Sequence, residues 1–337
     1  MALRGAYDIG SGATKLQVAE IVDGRIKESH FALEIIVNFS HDSKQQPDGC
    51  LSDAIQEKGM AALEQLHAEA AKLGVCQFAA VCTEVFRRAP NGASYREKVE
   101  KLLGTKARLL DQSEEALIGY KTAQAFSTGP ASDLVSWDSG GGSFQICCLK
   151  SDSKAASSPS DLDMYLGSLG SGVCTAMFQE KISSRGVGVS PNPVTVEQAN
   201  SFVELLLDPA QRHLSETPPW LANRERALAI GGPTSIFRLC LDALGIEGPD
   251  FPVFGMSDVE KALDLTLNKT DDELSWHAEP EMVVPKLCLL LAVMRKCGFK
   301  EVKHSSATGS CPGVLVSDGW YESVGEEKLP ETKRVKN

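Results

Sequence analysis

Apolar and polar positions alternate over residues 6–35, with turn signals at Asp23-Gly24 and around Lys27-Glu28, the pattern of a strand meander. HDSKQQPDG (41–49) reads as a polar loop. Ser52 then caps DAIQEKGMAALEQLHAEAAKLG, where Ile55, Met60, Leu63, Leu66 and Ala70 recur at helical spacing and Gly74 supplies the stop. VCQFAAVCT (75–83) predicts a buried strand, and GASYREKVEKLLG (92–104) a short amphipathic helix. KARLLDQSEEALIGYKTAQAF predicts a strand to Leu110 and a helix from about Ser113. STGPASD (127–133) is a linker by composition.

The scheme then repeats. LVSWDSGGGSFQICCLK reads as two strands around a glycine turn, and SDSKAASSPSD (151–161) as a polar, low-complexity, mobile loop. DMYLGSLGSGVCTAMF gives a strand, a glycine-rich turn and a helix start; residues 194–214 are helical. RALAIGGPTSIFRLCLDALG gives strand, tight turn and helix. PKLCLLLAVMRKCG (285–298) is a final helix, followed by the strand-like KEVKHSSATGS. The tail, EEKLPETKRVKN, reads as a frayed helix end. The expectation is an α/β chain of two duplicated halves, 1–126 and 127–337, with the last helix packing back on the first half. The cleft between the halves is the default site.

The repeat is sharpest in two turns. Asp138 ends an apolar run and is followed by Gly140, Gly141, Gly142 and Ser143; near the N-terminus, Asp8 is followed by Gly10, Ser11, Gly12, Thr14 and Lys15. Bare glycine backbone serves a tight strand turn, or it lets a phosphate approach the amides. One such turn leaves both readings open. A duplicated pair points to two phosphate-binding turns facing one cleft.

The 337 residues suit two domains, and the 42% apolar content suffices for their cores. No apolar run reaches membrane-span length and the N-terminus runs straight into a strand, so the expectation is a soluble, cytoplasmic protein without a membrane partner. The ten cysteines form no C-x-x-C pair and read as buried free thiols; the six histidines form no metal-like cluster. A net charge of −11 argues against a nucleic-acid surface. It also requires that any site for a polyanion carry local positive charge or a metal.

The ordered motifs resemble those of the exopolyphosphatase and guanosine pentaphosphate phosphohydrolase family of the actin, sugar-kinase and heat-shock-chaperone superfamily. DIGSGATKLQVAEI is similar to the family's first phosphate motif, and WDSGGGSFQI to its second. CTEVFRRAPN (82–91) and LLDQSEEALIGYKTA (109–123) resemble the segments between them. AIGGPTSIFRL (229–239) is similar to the third glycine turn, and CPGVLVSDG (311–319) to the terminal segment. The resemblance implies a duplicated ribonuclease-H-like, actin-like fold. It also implies roles: Glu115 as the base that activates water, Asp138 as a holder of that water or of a cation, and Arg87 as a phosphate clamp. The turns, with Asp8, Gly10, Ser11, Gly12, Thr14, Lys15, Gly140, Gly141, Gly142, Ser143, Gly231 and Gly232, would bind phosphoryl oxygens. Asp8 and Asp138 would ligate Mg2+ or Mn2+. Family members often dimerise, which makes a homodimer one expected assembly.

The chemistry asked of those residues is physically coherent. Phosphoanhydride hydrolysis needs charge neutralisation, an in-line water and a proton acceptor. Each residue also has a plainer reading. Glu114 and Glu115 open a helix, where acids suit the dipole; Arg87 and Arg88 read equally as a solvated pair, and Lys15 as a solvent-facing strand residue. The chain departs from the family pattern at Gly12, at Gly232-Pro233-Thr234, and at Phe144 and Gln145, the last standing where the second motif usually has Glu. The expected function is removal of terminal phosphate from inorganic polyphosphate, short chains favoured, or from guanosine pentaphosphate. The alternatives are a non-catalytic binder of polyphosphate or nucleotide, and a kinase of the same superfamily.

Overall fold

The alternating N-terminal residues form an antiparallel meander of β1 (Ala2–Ile9), β2 (Ala13–Val22) and β3 (Arg25–Ile36). β3 is a sheet edge and carries Lys27, Glu28, Ser29 and His30 to solvent, which guards its unpaired backbone. The computed structural model describes residues 2–186, 188–248, 252–307 and 309–321. The segment EEKLPETKRVKN lies outside them.

After β3 come α1 (Phe39–Gln45) and α2 (Asp53–Lys72), then β4 (Gln77–Cys82), α3 (Glu84–Arg88), α4 (Gly92–Leu103), β5 (Ala107–Leu109) and α5 (Gln112–Phe126). α2 starts where expected, with Ser52 Oγ accepting from the Ile55 amide, and ends at Gly74, whose φ is +74°. α1 corrects the loop reading of 41–49. Its side chains are polar, but Phe39 is fully buried and Asp42 accepts from both the amide and the hydroxyl of Ser52.

The second half runs β6 (Val135–Ser139), β7 (Phe144–Leu149), β8 (Leu162–Gly167), α6 (Ser171–Phe178), α7 (Val196–Leu207), β9 (Arg226–Gly231) and α8 (Ile236–Ala243). It continues with β10 (Val253–Gly255), α9 (Met256–Thr266), α10 (Val283–Cys297), β11 (Glu301–Ser306) and α11 (Cys311–Leu315). The loop before β8 is pinned rather than loose: Asp161 accepts from the amides of Ser157 and Ser158, and Ala156 is buried. α10 is buried around its whole circumference and forms the centre of the larger core, with Phe178, Phe202, Phe237 and Trp137.

The two sheets share one plan. The first has the order β3-β2-β1-β4-β5; the second reads β8-β7-β6-β9-β11, with β10 added at its edge. In each, a three-stranded antiparallel meander is extended by parallel strands. This is the duplicated α/β architecture the turns predicted.

Two helices cross between the sheets. α5 packs on the second sheet, where Ala116, Leu117, Tyr120 and Ala123 meet Leu149, Leu162 and Leu228. α11 packs on the first, where Cys311, Val314 and Leu315 meet Ala6, Ala19, Ile21, Ala79 and Val81. They touch each other at Gly313, whose amide donates to Thr122 Oγ1 and where a Cβ would lie 2.3 Å from the Ile118 carbonyl oxygen.

Candidate active site

Each meander delivers an acid to the end of its first strand and then reverses through glycine. Asp8 pairs across the ladder with Lys15, and Asp138 with Gln145. Both turns close with the same bond: Gly10 N to Ala13 O, and Gly140 N to Ser143 O, each 2.9 Å.

The next segment of each half fixes how these turns face. Ser11 O accepts from Ser40 N, and Gly12 O from the amides of Val37 and Asn38. In the second half Gly140 O accepts from Ser171 N, and Gly141 O from the amides of Gly172 and Val173. A trans peptide sets its N–H opposite its C=O. The amides of Gly12, Gly141 and Gly142 therefore point away from the helices that hold the carbonyls. Among the described residues, those three N–H groups and that of Ser11 have no hydrogen-bond partner. The turns approach closely: a Cβ on Gly141 would lie 4.0 Å from Ser11 Cβ. Gly170 has no room for a side chain, since its Cβ would sit 2.3 Å from the Gly141 carbonyl carbon.

Between the turns is a cleft of about 650 Å³. Asp8, Gly10, Ser11, Gly12, Lys15, Glu115, Asp138, Gly140, Gly141, Gly142, Ser143, Gly231 and Gly232 all line it. Thr14 and Arg87 do not. Thr14 is fully buried on the other face of β2, as the strand's alternation requires. Arg87 is tied to the Leu110 carbonyl and, at 2.6 Å, to Glu115 Oε1. Its guanidinium thus engages the glutamate rather than an open phosphate site.

The acids are held in unlike ways. Glu115 lies on the first turn of α5, 9% exposed. Burial pushes its pKa up to about 7, against the Arg87 ion pair and with help from the charges of Asp138 and Asp8. Its second oxygen accepts from Gln145 Nε2 at 3.4 Å, and that amide also donates to Ser143 Oγ at 3.0 Å. Asp138 sits over Gly119, one helical turn beyond Glu115 on α5. Burial pushes Asp138 up to about 6, although Lys15 opposes the rise. Asp8 Oδ2 accepts from Ser310 N at 2.8 Å and faces Lys15 Nζ at 3.7 Å; Asp8 Oδ1 is buried with no partner. Burial disfavours the Lys15 charge, but the carboxylates of Asp8 and Glu34 outweigh it and raise the pKa.

This oxygen set fits a hard divalent cation. Mg2+ is held by one or two carboxylates together with substrate oxygens and water, and the unpartnered Asp8 Oδ1 is an available ligand atom. Among the described residues, the grouping of three potential ligand side chains close enough to enclose an ion is elsewhere, at Glu20, Glu28 and His30 on the exposed β2–β3 face. Sequence spacing hid it, because the register sets Glu20 opposite Glu28.

Several lining residues were not singled out in the sequence. Glu84, on α3, accepts from Ser11 Oγ at 3.4 Å and so joins the first turn to the segment after β4. Lys44 enters the cleft from the unpredicted α1. Lys286, 1% exposed, donates to Thr234 O and Glu279 Oε2, both at 3.1 Å. A lone lysine inside the otherwise apolar run of α10 was the available signal, since lysine is rarely buried without a partner.

Two mixed sheets of one plan, clamping a cleft between paired acid–glycine turns, define an actin-like two-domain α/β protein. Residues 18–165 match the model of the Ppx/GppA phosphatase family. The fold agrees over nearly the whole chain. A Ppx/GppA family member from Aquifex aeolicus superposes with a TM-score of 0.71 at 19% identity, covering 94% of this chain and 97% of that one. An exopolyphosphatase from Cytophaga hutchinsonii gives a TM-score of 0.71 at 15% identity, covering 94% and 98%. Nucleoside triphosphate hydrolases from Neospora caninum give 0.58 at 11% identity, covering 95% and 93%. No curated protein matches the sequence. The resemblance drawn from the motifs is to the same family whose model matches residues 18–165, and the chain shares the fold of these solved structures.

Proposed function

We propose that the chain is a hydrolase of phosphoanhydride bonds, removing the terminal phosphoryl group of inorganic polyphosphate or of a guanosine polyphosphate. The observation that carries this reading is the pair of facing turns with unpartnered amides, set beside a buried carboxylate whose pKa lies near neutrality. The amides of Ser11, Gly12, Gly141 and Gly142 receive the oxygens of the terminal phosphoryl group. Glu115 orients a water and takes its proton as the water oxygen attacks phosphorus. The bond from phosphorus to the bridging oxygen breaks, leaving orthophosphate and a shortened chain. Arg87 and Gln145 each hold one oxygen of Glu115 and so fix the direction in which it accepts the proton. Asp8 and Asp138 would hold a divalent cation, which supplies charge neutralisation for the phosphate oxygens.

The stereochemical course at phosphorus distinguishes attack by water from attack by a side chain. A substrate made isotopically chiral at a terminal thiophosphoryl group and hydrolysed in 18O-water should release thiophosphate of inverted configuration, the result of a single in-line displacement. Retention would mean that a protein oxygen attacks first and would remove the role given to Glu115. A non-catalytic binder, the alternative reading, would release no phosphate under any condition.

A further inference from the structure

A carboxylate stands where the two glycine turns approach. β4 runs parallel to β1, and just beyond it Thr83 N donates to Ile9 O, so α3 opens beside the first turn. Glu84 is the first residue of α3 and lines the cleft. Its Oε2 accepts from Ser11 Oγ at 3.4 Å, and that hydroxyl in turn accepts from Val85 N at 3.3 Å. Across the gap, a Cβ on Gly142 would lie 2.8 Å from the same Oε2. The carboxylate thus fills the room that the bare backbone of Gly142 leaves. Neither turn bonds it through an amide: among the described residues its partners are Ser11 Oγ and, on Oε1, Arg88 Nη1 at 2.5 Å. The Arg88 side chain is 71% exposed, so solvent screens that pair. Lys44 belongs to the same group of charges. Burial lowers its pKa, the Glu84 charge opposes the fall, and Arg88 adds to it.

The unpartnered amides of Ser11, Gly12, Gly141 and Gly142 belong to the two turns that flank this carboxylate. A phosphoryl group drawn to them would meet a like charge at close range. We propose that Glu84 is a displaceable internal anion that sets the phosphate affinity of the site. An entering phosphoryl group moves its side chain toward Arg88 and Lys44, and the carboxylate returns to the gap as orthophosphate leaves. The proposal rests on the reading of the glycine turns as the phosphate site, and adds to it a residue that keeps the product weakly held. A substrate with several phosphoryl groups has further contacts to offset the displacement of Glu84; orthophosphate has none.

The test is calorimetric titration of the full chain with orthophosphate and magnesium, for the native protein, Glu84→Gln and Glu84→Asp. Glutamine keeps an acceptor for the Ser11 hydroxyl and removes the charge; aspartate keeps the charge and draws it back by one methylene. Glu84→Gln should bind orthophosphate about tenfold more tightly than the native chain, the scale of one like charge removed from a partly solvated site. Glu84→Asp should fall between the two. A residue that merely braces Ser11 gives a different order, with glutamine close to native and aspartate weaker. Unchanged or weaker binding in Glu84→Gln, while the native chain binds, would overturn the inference and leave the glycine turns as the phosphate site. Binding by none of the three chains would overturn both. Orthophosphate release from polyphosphate separates the result from the phosphatase reading. Tighter binding in Glu84→Gln without release by the native chain keeps the inference and removes the hydrolase; release without tighter binding does the reverse.

Discussion

In the proposed reaction Glu115 carries two demands that conflict. As a base it must be ionised, yet burial favours its protonated form and moves its pKa from the usual 4.5 to about 7. Between those values the folded state holds more protons than the unfolded state, so this group makes stability fall as pH rises. Activity should rise through about pH 7, where the folded carboxylate ionises. We predict that Glu115→Gln is more stable than the native chain at pH 8, by on the order of 2 kcal/mol, and indistinguishable from it near pH 4. Urea denaturation at the two pH values checks this; equal stability at both would contradict the buried-charge account. Gln145 acts on the same carboxylate through its amide at 3.4 Å. Gln145→Glu would replace a donor by a like charge, raising the Glu115 pKa further. The acid limb of the pH–rate profile should then move up by about one unit. An unmoved limb would mean that residue 145 does not address the base. The contact with Glu115 could not be read from spacing, since 30 residues separate the pair and β7 and α5 meet only in the folded chain.

Among the elements, the hairpins were legible because their signal is local: an acid, a glycine turn and alternating flanks. α1 was not. Its sequence is polar, and it forms where the Ser11 and Gly12 carbonyls receive the amides of Val37, Asn38 and Ser40, partners distant in sequence. α6 meets the second turn in the same way, which is why each turn presents its remaining amides to the cleft. The expected loop at 151–161 also gave way to local bonds, through Asp161. The crossing of α5 and α11 leads to a sharper expectation. Gly313 sits against the Ile118 carbonyl and the Thr122 hydroxyl, with no room for a Cβ. Gly313→Val should force these helices apart and lower stability by about 3 kcal/mol, measured by denaturant midpoint. A loss below 0.5 kcal/mol would mean that the crossing tolerates separation.

At the scale of the whole molecule, duplication accounts for the site. Neither sheet holds a complete set of groups: the first supplies Asp8 and Lys15, the second Asp138 and Gln145, and α5 brings Glu115 beneath the second sheet. The repeat in sequence made the cleft foreseeable. The charge that Glu34, Glu279 and Lys286 bring to it was not, because Glu34 on β3 and the Glu279–Lys286 pair come from two segments far apart in the chain that carry no shared motif. Of the ten cysteines, none is paired; eight are buried, while Cys50 is partly exposed and Cys76 exposed, close to the expected pattern. Among the described residues no helix is long and apolar enough to cross a membrane.

The most direct test of the central claim is orthophosphate release from guanosine pentaphosphate and from short polyphosphate. It should be followed with magnesium and with chelator, for the native chain and for Glu115→Gln. The account predicts release by the native chain that stops on chelation, returns with magnesium, and falls by at least about a hundredfold in the variant. Full activity in Glu115→Gln, or no release from either substrate by the native chain, would contradict it.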